Sequence, residues 1–280
     1  MPEFPKLLPI SHEPISIVLL AHEPSPDVAR WLAFADTHGR DDEVIVVDDG
    51  AGVNLAPHPR LRVVTHEHPR GVGAALRTGL AEASRPLVFY TLADPRYRPE
   101  ILEGFLARKM PESEDREIDH IHLLSGYRAG VPVPRLLRIV GWVWRMALRV
   151  VFSIETTPLP GWLGWRRHLA GLAARVFLGV RHGDVACPAR LLRREILPRI
   201  PIQSDGPMAH AELLAKANFL GCILGEEVPL AIEPGPYNGD ARAIYREAKR
   251  VFDKPDFGPA VLPGAGDGTL SEAAICPPSP

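Results

Sequence analysis

The sequence predicts an α/β fold, a mostly parallel sheet with flanking helices, to which an amphipathic helical hairpin is added. Three observations carry this reading. Strand-like and helix-like segments alternate through the first half of the 280 residues, as they do when strands are joined by right-handed helical crossovers. The first strand candidate, Ile15–Ala21 (ISIVLLA), is a near-continuous apolar run, as in a strand buried on both faces. Between residues 131 and 182 the alternation gives way to long helical stretches rich in arginine and tryptophan.

The elements follow in order. Residues Pro26–Thr37 read as a helix, with Ser25 suited to cap it and Pro26 to its first turn. Glu43–Asp48 (EVIVVD) is the second strand and Leu61–Thr65 a short third. Gly71–Ala83 is a helix of small residues, Pro86–Thr91 a strand, Pro99–Arg108 a helix and His120–Ser125 a further strand. In the segment that follows, Arg138, Arg145 and Arg149 fall on one narrow helical arc, opposite Ile139, Val143, Met146 and Val150. The run Thr156–Gly164 breaks that helix, and a second continues to about Val180. A return element (Asp184–Leu197), a helix (Pro207–Phe219), a strand (Cys222–Ile232) and a last helix (Ala241–Phe252) complete the chain. Residues 255–280 hold six prolines and four glycines and read as a disordered tail.

Composition narrows the function. With 46% hydrophobic and 24% charged residues, the chain has the makeup of a folded globular protein. A net charge of -2 gives no global basic field for nucleic acid. Cys187, Cys222 and Cys276 are too few and scattered for a disulfide scaffold or a zinc site, which suits a reduced cytoplasmic setting. The N-terminus lacks a signal-peptide pattern, and the longest apolar stretch, Ile139–Ile154, is interrupted by Arg145 and Arg149, so no spanning helix is expected.

Ligands of open parallel sheets bind beyond the carboxyl ends of the strands. Two acidic positions lie there: Asp48-Asp49-Gly50 after the second strand, and Asp94 after VFYTLA. Strand-end carboxylates bond a ribose or hold a divalent cation for a pyrophosphate, although Asp and Gly also simply start turns. A small-residue helix between the two favours the site.

The ordered set ISIVLLAHE, EVIVVDDG, HEHPRGVGAALRTGLAEA, PLVFYTLADPRYRPE and LLSGYR, with GDVACPARLLRRE and SDGPMAHAELLAKA further on, resembles the family 2 glycosyltransferases of the GT-A, Rossmann-like fold. Within that family the pattern is most similar to the dolichyl-phosphate mannose synthase branch, from about Ile15 to Ile232. The resemblance implies inverting transfer of a hexose from a nucleotide-sugar, of GDP-mannose or UDP-glucose type, to a polyprenyl phosphate or related acceptor. It implies donor contacts from Ala21, His22, Glu23, Asp48, Asp49, Gly50, Gly71, Gly73 and Arg96. Asp94 would meet the metal-bound diphosphate, and Arg128 an acceptor phosphate. Asp205 is the candidate base for a hydroxyl acceptor or, equally, a helix N-cap, and Glu212, at the recurring acid of its helix, is with Asp94 and Asp205 a catalytic candidate. The chain then divides into an N-terminal extension (1–14), a nucleotide-sugar half (15–130), the Arg/Trp insertion (131–182), an acceptor-side half (183–254) and the tail (255–280).

Four departures from the family pattern bear on the chemistry. Leu92 replaces the first acid of the D-x-D loop, Arg96 replaces a glutamine, the first loop reads His22-Glu23-Pro24, and Ala51 follows Asp48-Asp49-Gly50. Losing a carboxylate and gaining a guanidinium weakens a site for Mg2+ or Mn2+, and an arginine can neutralise a diphosphate directly. The expectation is therefore a weakly metal-dependent or metal-independent transferase. The alternative is a catalytically impaired, nucleotide-binding or scaffold protein with a degenerate metal site. Amphipathic helices with arginine and tryptophan lie on anionic bilayers, which places the protein in the cytoplasm, peripheral on the inner face of the membrane. A soluble hairpin packed by its apolar face is the competing reading.

Overall fold

In the computed structural model the described residues are 13–22, 27–38, 41–109, 121–128, 146, 150, 179–180, 182–232 and 241–258. They form β1 (Ile15–Ala21), α1 (Ala29–His38), β2 (Glu43–Asp48), β3 (Leu61–Thr65), α2 (Val72–Glu82), β4 (Leu87–Leu92), α3 (Glu100–Lys109), β5 (Leu123–Arg128), β6 (Arg190–Arg193), α4 (Met208–Phe219), β7 (Val228–Leu230) and α5 (Ala241–Asp253), with a short 3-10 stretch at Arg194–Arg199.

The seven strands make one sheet in the order β3-β2-β1-β4-β6-β5-β7. The β3-β2-β1-β4 half is parallel throughout. On the other side β6 runs antiparallel to both β4 and β5, and β7 pairs parallel with β5. Strand β1 lies inside the parallel half and is buried at every position. Its Ile15, Ile17 and Leu19 face a cluster with Trp31 and Phe34 of α1 and Phe105 of α3. Val18 and Leu20 face the other cluster, with Leu76 and Leu80 of α2 and Leu213 and Leu214 of α4. Both faces being covered explains the unbroken apolar run. Phe89 of β4 ties the first cluster together, its ring centroid 5.7 Å from Trp31 and 5.3 Å from Phe105.

Several boundaries differ from the sequence reading. The strand expected at His120–Ser125 runs over Leu123–Arg128 instead. The strand expected over Cys222–Ile232 shrinks to Val228–Leu230 and a single bridge, Leu123 to Leu224. Gly225 lies so close to Leu124 that a Cβ there would come within 2.3 Å of its Cδ2. Pro229 lacks a ladder N–H, which suits an edge strand. Of the expected tail 255–280, residues 255–258 are among the described ones. The Asp256 N–H donates to Gln203 Oε1 at 2.9 Å, and Gly258 closes on the Pro198 carbonyl. Residues 259–280, Ser25 and Pro26 lie outside the described residues, as do Arg138, Arg145 and Arg149 of the expected hairpin. Met146 and Val150, from its apolar arc, are helical and exposed. Among the described residues no helix is long and apolar enough to cross a membrane.

Candidate active site

The carboxyl ends of β2, β1 and β4 lie side by side, and the Asp49 N–H donates to the Ala21 carbonyl at 2.8 Å, locking β2 to the end of β1. Asp48 and Asp49 follow one another here and do different work. Asp48 is buried and folds its own loop: Oδ1 accepts the N–H groups of Ala51 and Gly52 at 2.8 and 3.2 Å, and Oδ2 that of Val53 at 2.8 Å. Gly50 between them has φ +95°, and a Cβ there would meet Pro69 at 2.6 Å.

Asp49 reaches the other way. Its Oδ1 lies 2.7 Å from His66 Nδ1 and accepts the Arg70 N–H at 2.7 Å, and its Oδ2 accepts the Gly71 N–H at 2.8 Å. Nε2 of His66 continues the chain to Thr78 Oγ1 at 2.9 Å. Burial pushes the Asp49 carboxyl up, but the N–H groups of Arg70 and Gly71 and the His66 ring outweigh it and hold the group below the usual carboxylate range. Both acids expected to contact the donor thus accept bonds from the protein's own loops in this structure. Asp49→Ala strips acceptors from two backbone N–H groups and an imidazole. It is expected to lower unfolding free energy by about 1–3 kcal/mol; a urea midpoint unchanged from wild type would refute the assignment.

The start of α2 also differs from expectation. Gly71 and Gly73 read as room for a nucleotide, but the space belongs to the loop at residues 201–206. A Cβ at Gly73 would lie 2.3 Å from the Ser204 carbonyl oxygen, and one at Gly71 2.5 Å from that of Asp205. The Asp205 carbonyl accepts the N–H groups of Gly73 and Ala74 at 2.7 and 3.2 Å, so it occupies the positive end of α2. The Asp205 side chain is exposed and bonds Arg77 Nη2 at 2.6 Å. It does not cap α4, whose cap position is Pro207 without a side-chain bond.

Glu212, a candidate catalytic residue in the sequence, lies inside the fold and holds the 201–206 loop. It is fully buried; Oε1 accepts the Gln203 N–H at 2.8 Å, Oε2 the Ser204 N–H at 2.9 Å, and Lys216 Nζ lies 2.7 Å away, one turn along α4. From α5, Glu247 Oε1 accepts the N–H groups of Asp205 and Gly206 at 2.7 and 2.8 Å, and Arg250 donates to the Gln203 carbonyl at 2.9 Å.

Asp94 stands where β4 ends. The Ala93 N–H donates to the Leu20 carbonyl at 2.9 Å, seating the loop beside β1. Arg96 embraces the carboxylate: its Nε lies 2.9 Å from each oxygen, its backbone N–H donates to Oδ1 at 2.8 Å, and its Nη2 contacts Oδ2 as well. Burial pushes the Asp94 carboxyl up, but Arg96, with the charge of His22, outweighs it and holds the group low. Leu92 closes β4 and packs against both apolar clusters. Among the described residues no three His, Cys, Asp or Glu side chains converge to hold a metal ion. Mg2+ beside a substrate phosphate is held by one or two carboxylates, with water and phosphate oxygens completing its shell; here the one carboxylate present is engaged on both oxygens by Arg96. Ala21 is buried at the end of β1 and His22 is exposed beside it; Glu23 lies outside the described residues.

Arg128, expected to meet an acceptor phosphate, turns inward instead. Its Nε and Nη2 lie 2.8 and 2.9 Å from the two oxygens of buried Asp184, which outweighs burial and raises the guanidinium above its ordinary value. Below it lies a group the sequence reading missed: Arg190, wholly buried, donating from Nε to Ser125 Oγ at 3.3 Å and from Nη2 to the Val185 carbonyl at 2.6 Å. A further bond runs from Nη1 to the His210 carbonyl. The only trace of this in the sequence is an arginine at an inward-facing position of ARLLRRE.

This geometry can be set beside known proteins. Residues 16–115 match Glycosyl transferase family 2. The matched stretch covers β1 to α3 and carries Asp48, Asp49, Asp94 and Arg96. Over 146 residues the chain is 28% identical to the succinoglycan biosynthesis protein ExoU of Rhizobium meliloti, an alignment covering 46% of this chain and 42% of that relative's length. Among solved structures it resembles the glucosyl-3-phosphoglycerate synthase of Mycobacterium tuberculosis. The complex with Mn2+, uridine diphosphate and phosphoglyceric acid superposes with a TM-score of 0.55 at 21% identity, covering 91% of this chain and 84% of that one. The complex with Mn2+, UDP-glucose and phosphoglyceric acid gives 0.54 at 19%, covering 90% and 84%. The likeness shows the GT-A fold.

Proposed function

We propose that the protein is an inverting glycosyltransferase that moves a hexose from a nucleotide-sugar, of GDP-mannose or UDP-glucose type, to a polyprenyl phosphate or related phosphorylated acceptor. The observation that supports the donor half is the placing of Asp49 and Asp94 at neighbouring carboxyl ends of β2, β1 and β4, inside the stretch that matches Glycosyl transferase family 2. Asp49 and Asp94 stand on either side of β1, two strand spacings or about 10 Å apart, and a nucleotide laid across the edge spans them. The mycobacterial synthase, solved in complex with UDP-glucose and phosphoglyceric acid, supports a phosphorylated acceptor. The resemblance to the dolichyl-phosphate mannose synthase branch supports a lipid one, delivered where residues 131–182 lie on an anionic membrane surface at the cytoplasmic face.

In this reaction an acceptor oxygen attacks the anomeric carbon opposite the leaving diphosphate. The new C–O bond forms as the old one breaks, and its electron pair departs on the diphosphate. A phosphate acceptor is already anionic and needs no base. A hydroxyl acceptor passes its proton to Asp205, which the 201–206 loop holds beside α2 with Arg77 fixing its carboxylate.

A second reading has an observation of its own. Asp48, Asp49, Asp94 and Arg128 are all bonded within the protein, as in a nucleotide-binding scaffold that has lost turnover. A thermal-shift panel of nucleotide-sugars, followed by a transfer and hydrolysis assay, separates the two. The transferase reading expects one nucleotide-sugar class to raise the melting temperature by mass action and to be consumed. Binding without consumption selects the scaffold, and no shift with any nucleotide-sugar overturns both.

A further inference from the structure

The loop after β4 departs from a metal-binding one in a specific way. Its first ligand position is Leu92, packed into apolar surroundings. Its remaining acid, Asp94, has a guanidinium where a cation would coordinate, with Nε 2.9 Å from each carboxylate oxygen. The exposures decide which group an incoming ligand meets: the Asp94 side chain is 10% accessible and that of Arg96 47%. Of the pair, the guanidinium is therefore the partner that faces outward from the strand ends, a planar group suited to phosphate oxygens.

We propose that the Asp94–Arg96 pair replaces a divalent cation in this protein. Asp94 orients the guanidinium from below, and Arg96 contacts the diphosphate of the bound nucleotide. In this scheme Arg96 is a binding residue and Asp94 a positioning residue. The inference rests on the nucleotide-sugar reading above and differs from it in what it requires of metal.

Calorimetry with UDP and with GDP, in EDTA and in Mn2+, tests it, alongside a titration of Mn2+ alone followed by electron paramagnetic resonance. Wild type is expected to bind one of the two nucleotides with affinities in EDTA and Mn2+ agreeing within about twofold, and to leave Mn2+ free. Arg96→Gln is expected to weaken binding in EDTA by about tenfold or more, the scale of a lost charge-assisted bond. Arg96→Lys, which keeps the charge without the fork, is expected to fall between. The double variant Leu92→Asp/Arg96→Gln recreates two carboxylates and is expected to bind Mn2+ and to recover nucleotide affinity only in its presence. Nucleotide binding by wild type that collapses in EDTA, or Mn2+ binding that Asp94→Asn abolishes, overturns this inference while the donor reading stands. Undiminished affinity in Arg96→Gln overturns it as well. Failure of both nucleotides to bind under either condition removes the donor reading and this inference together.

Discussion

Glu212→Ala is expected to destabilise the protein by about 3–5 kcal/mol, the range for breaking a buried ion pair from one side. Lys216 would remain, almost wholly buried, with its charge uncompensated. The N–H groups of Gln203 and Ser204 would lose their acceptors in the same step. Glu212→Gln should cost less, since an amide oxygen still accepts one N–H. The loss in Glu212→Gln relative to wild type reads the contribution of the charge, and the further loss in Glu212→Ala that of the side-chain hydrogen bond and packing. Urea unfolding measures both, and a loss below about 1 kcal/mol for alanine would show that the 201–206 loop is held without Glu212. Because that loop carries Asp205 and covers the start of α2, the alanine variant should also weaken nucleotide binding without touching the ligand.

Acidification is expected to unfold the protein in two stages, beginning well above the carboxylate range. Burial, reinforced by the charge of Arg190, drives His182 down to about 4. Burial and the charges of Arg190, Arg128 and His22 drive His210 down to about 3, with Asp184 opposing. In the unfolded chain a histidine takes its proton near 6.5. Between there and the folded values the unfolded state binds protons that the native state refuses. Stability is therefore full above pH 6.5 and falls as pH drops, by up to about 1.4 kcal/mol per pH unit for each histidine. The second stage belongs to Asp49 and Glu43, both held low in the fold. Their contribution is present above their unfolded values, 3.8 and 4.5, and is lost as pH falls through the folded ones. Urea midpoints measured across this range check the sign. His210→Phe, which keeps a ring stacked on Tyr90, should flatten the upper stage. A wild-type stability that stays level from about pH 7 to pH 5 contradicts the assignment.

The parallel half of the sheet was legible because its strands write themselves as apolar runs. Ile15–Ala21, Glu43–Asp48 and Leu61–Thr65 match the expected boundaries residue for residue. A run of eleven residues with apolar content, Cys222–Ile232, was less informative, since Gly225 and two glutamates interrupt the pairing that its composition suggests. The position of the acids at the strand ends was legible too, but not their partners. Asp49 meets groups 17 to 22 residues away, and Arg128 meets Asp184 across 56. Local sequence carries no mark of such distant pairings. Gly71 and Gly73 show the ambiguity plainly: a missing side chain admits a ligand or another stretch of backbone equally well, and here backbone fills the space.

The loop at 201–206 is gripped from three directions: by α2 through Arg77, by α4 through Glu212 and Lys216, and by α5 through Glu247 and Arg250. This gives the chain a built-in order of assembly during synthesis. The stretch that matches family 2 emerges first and can pair its own strands, but its cleft has no finished floor at that point. Only when the residues of α5 and the stretch to Asp256 have left the ribosome does the loop gain its last holds. The strand edge proposed to take the nucleotide is thus completed only after Lys254 and Asp256 have joined the residues that hold the loop.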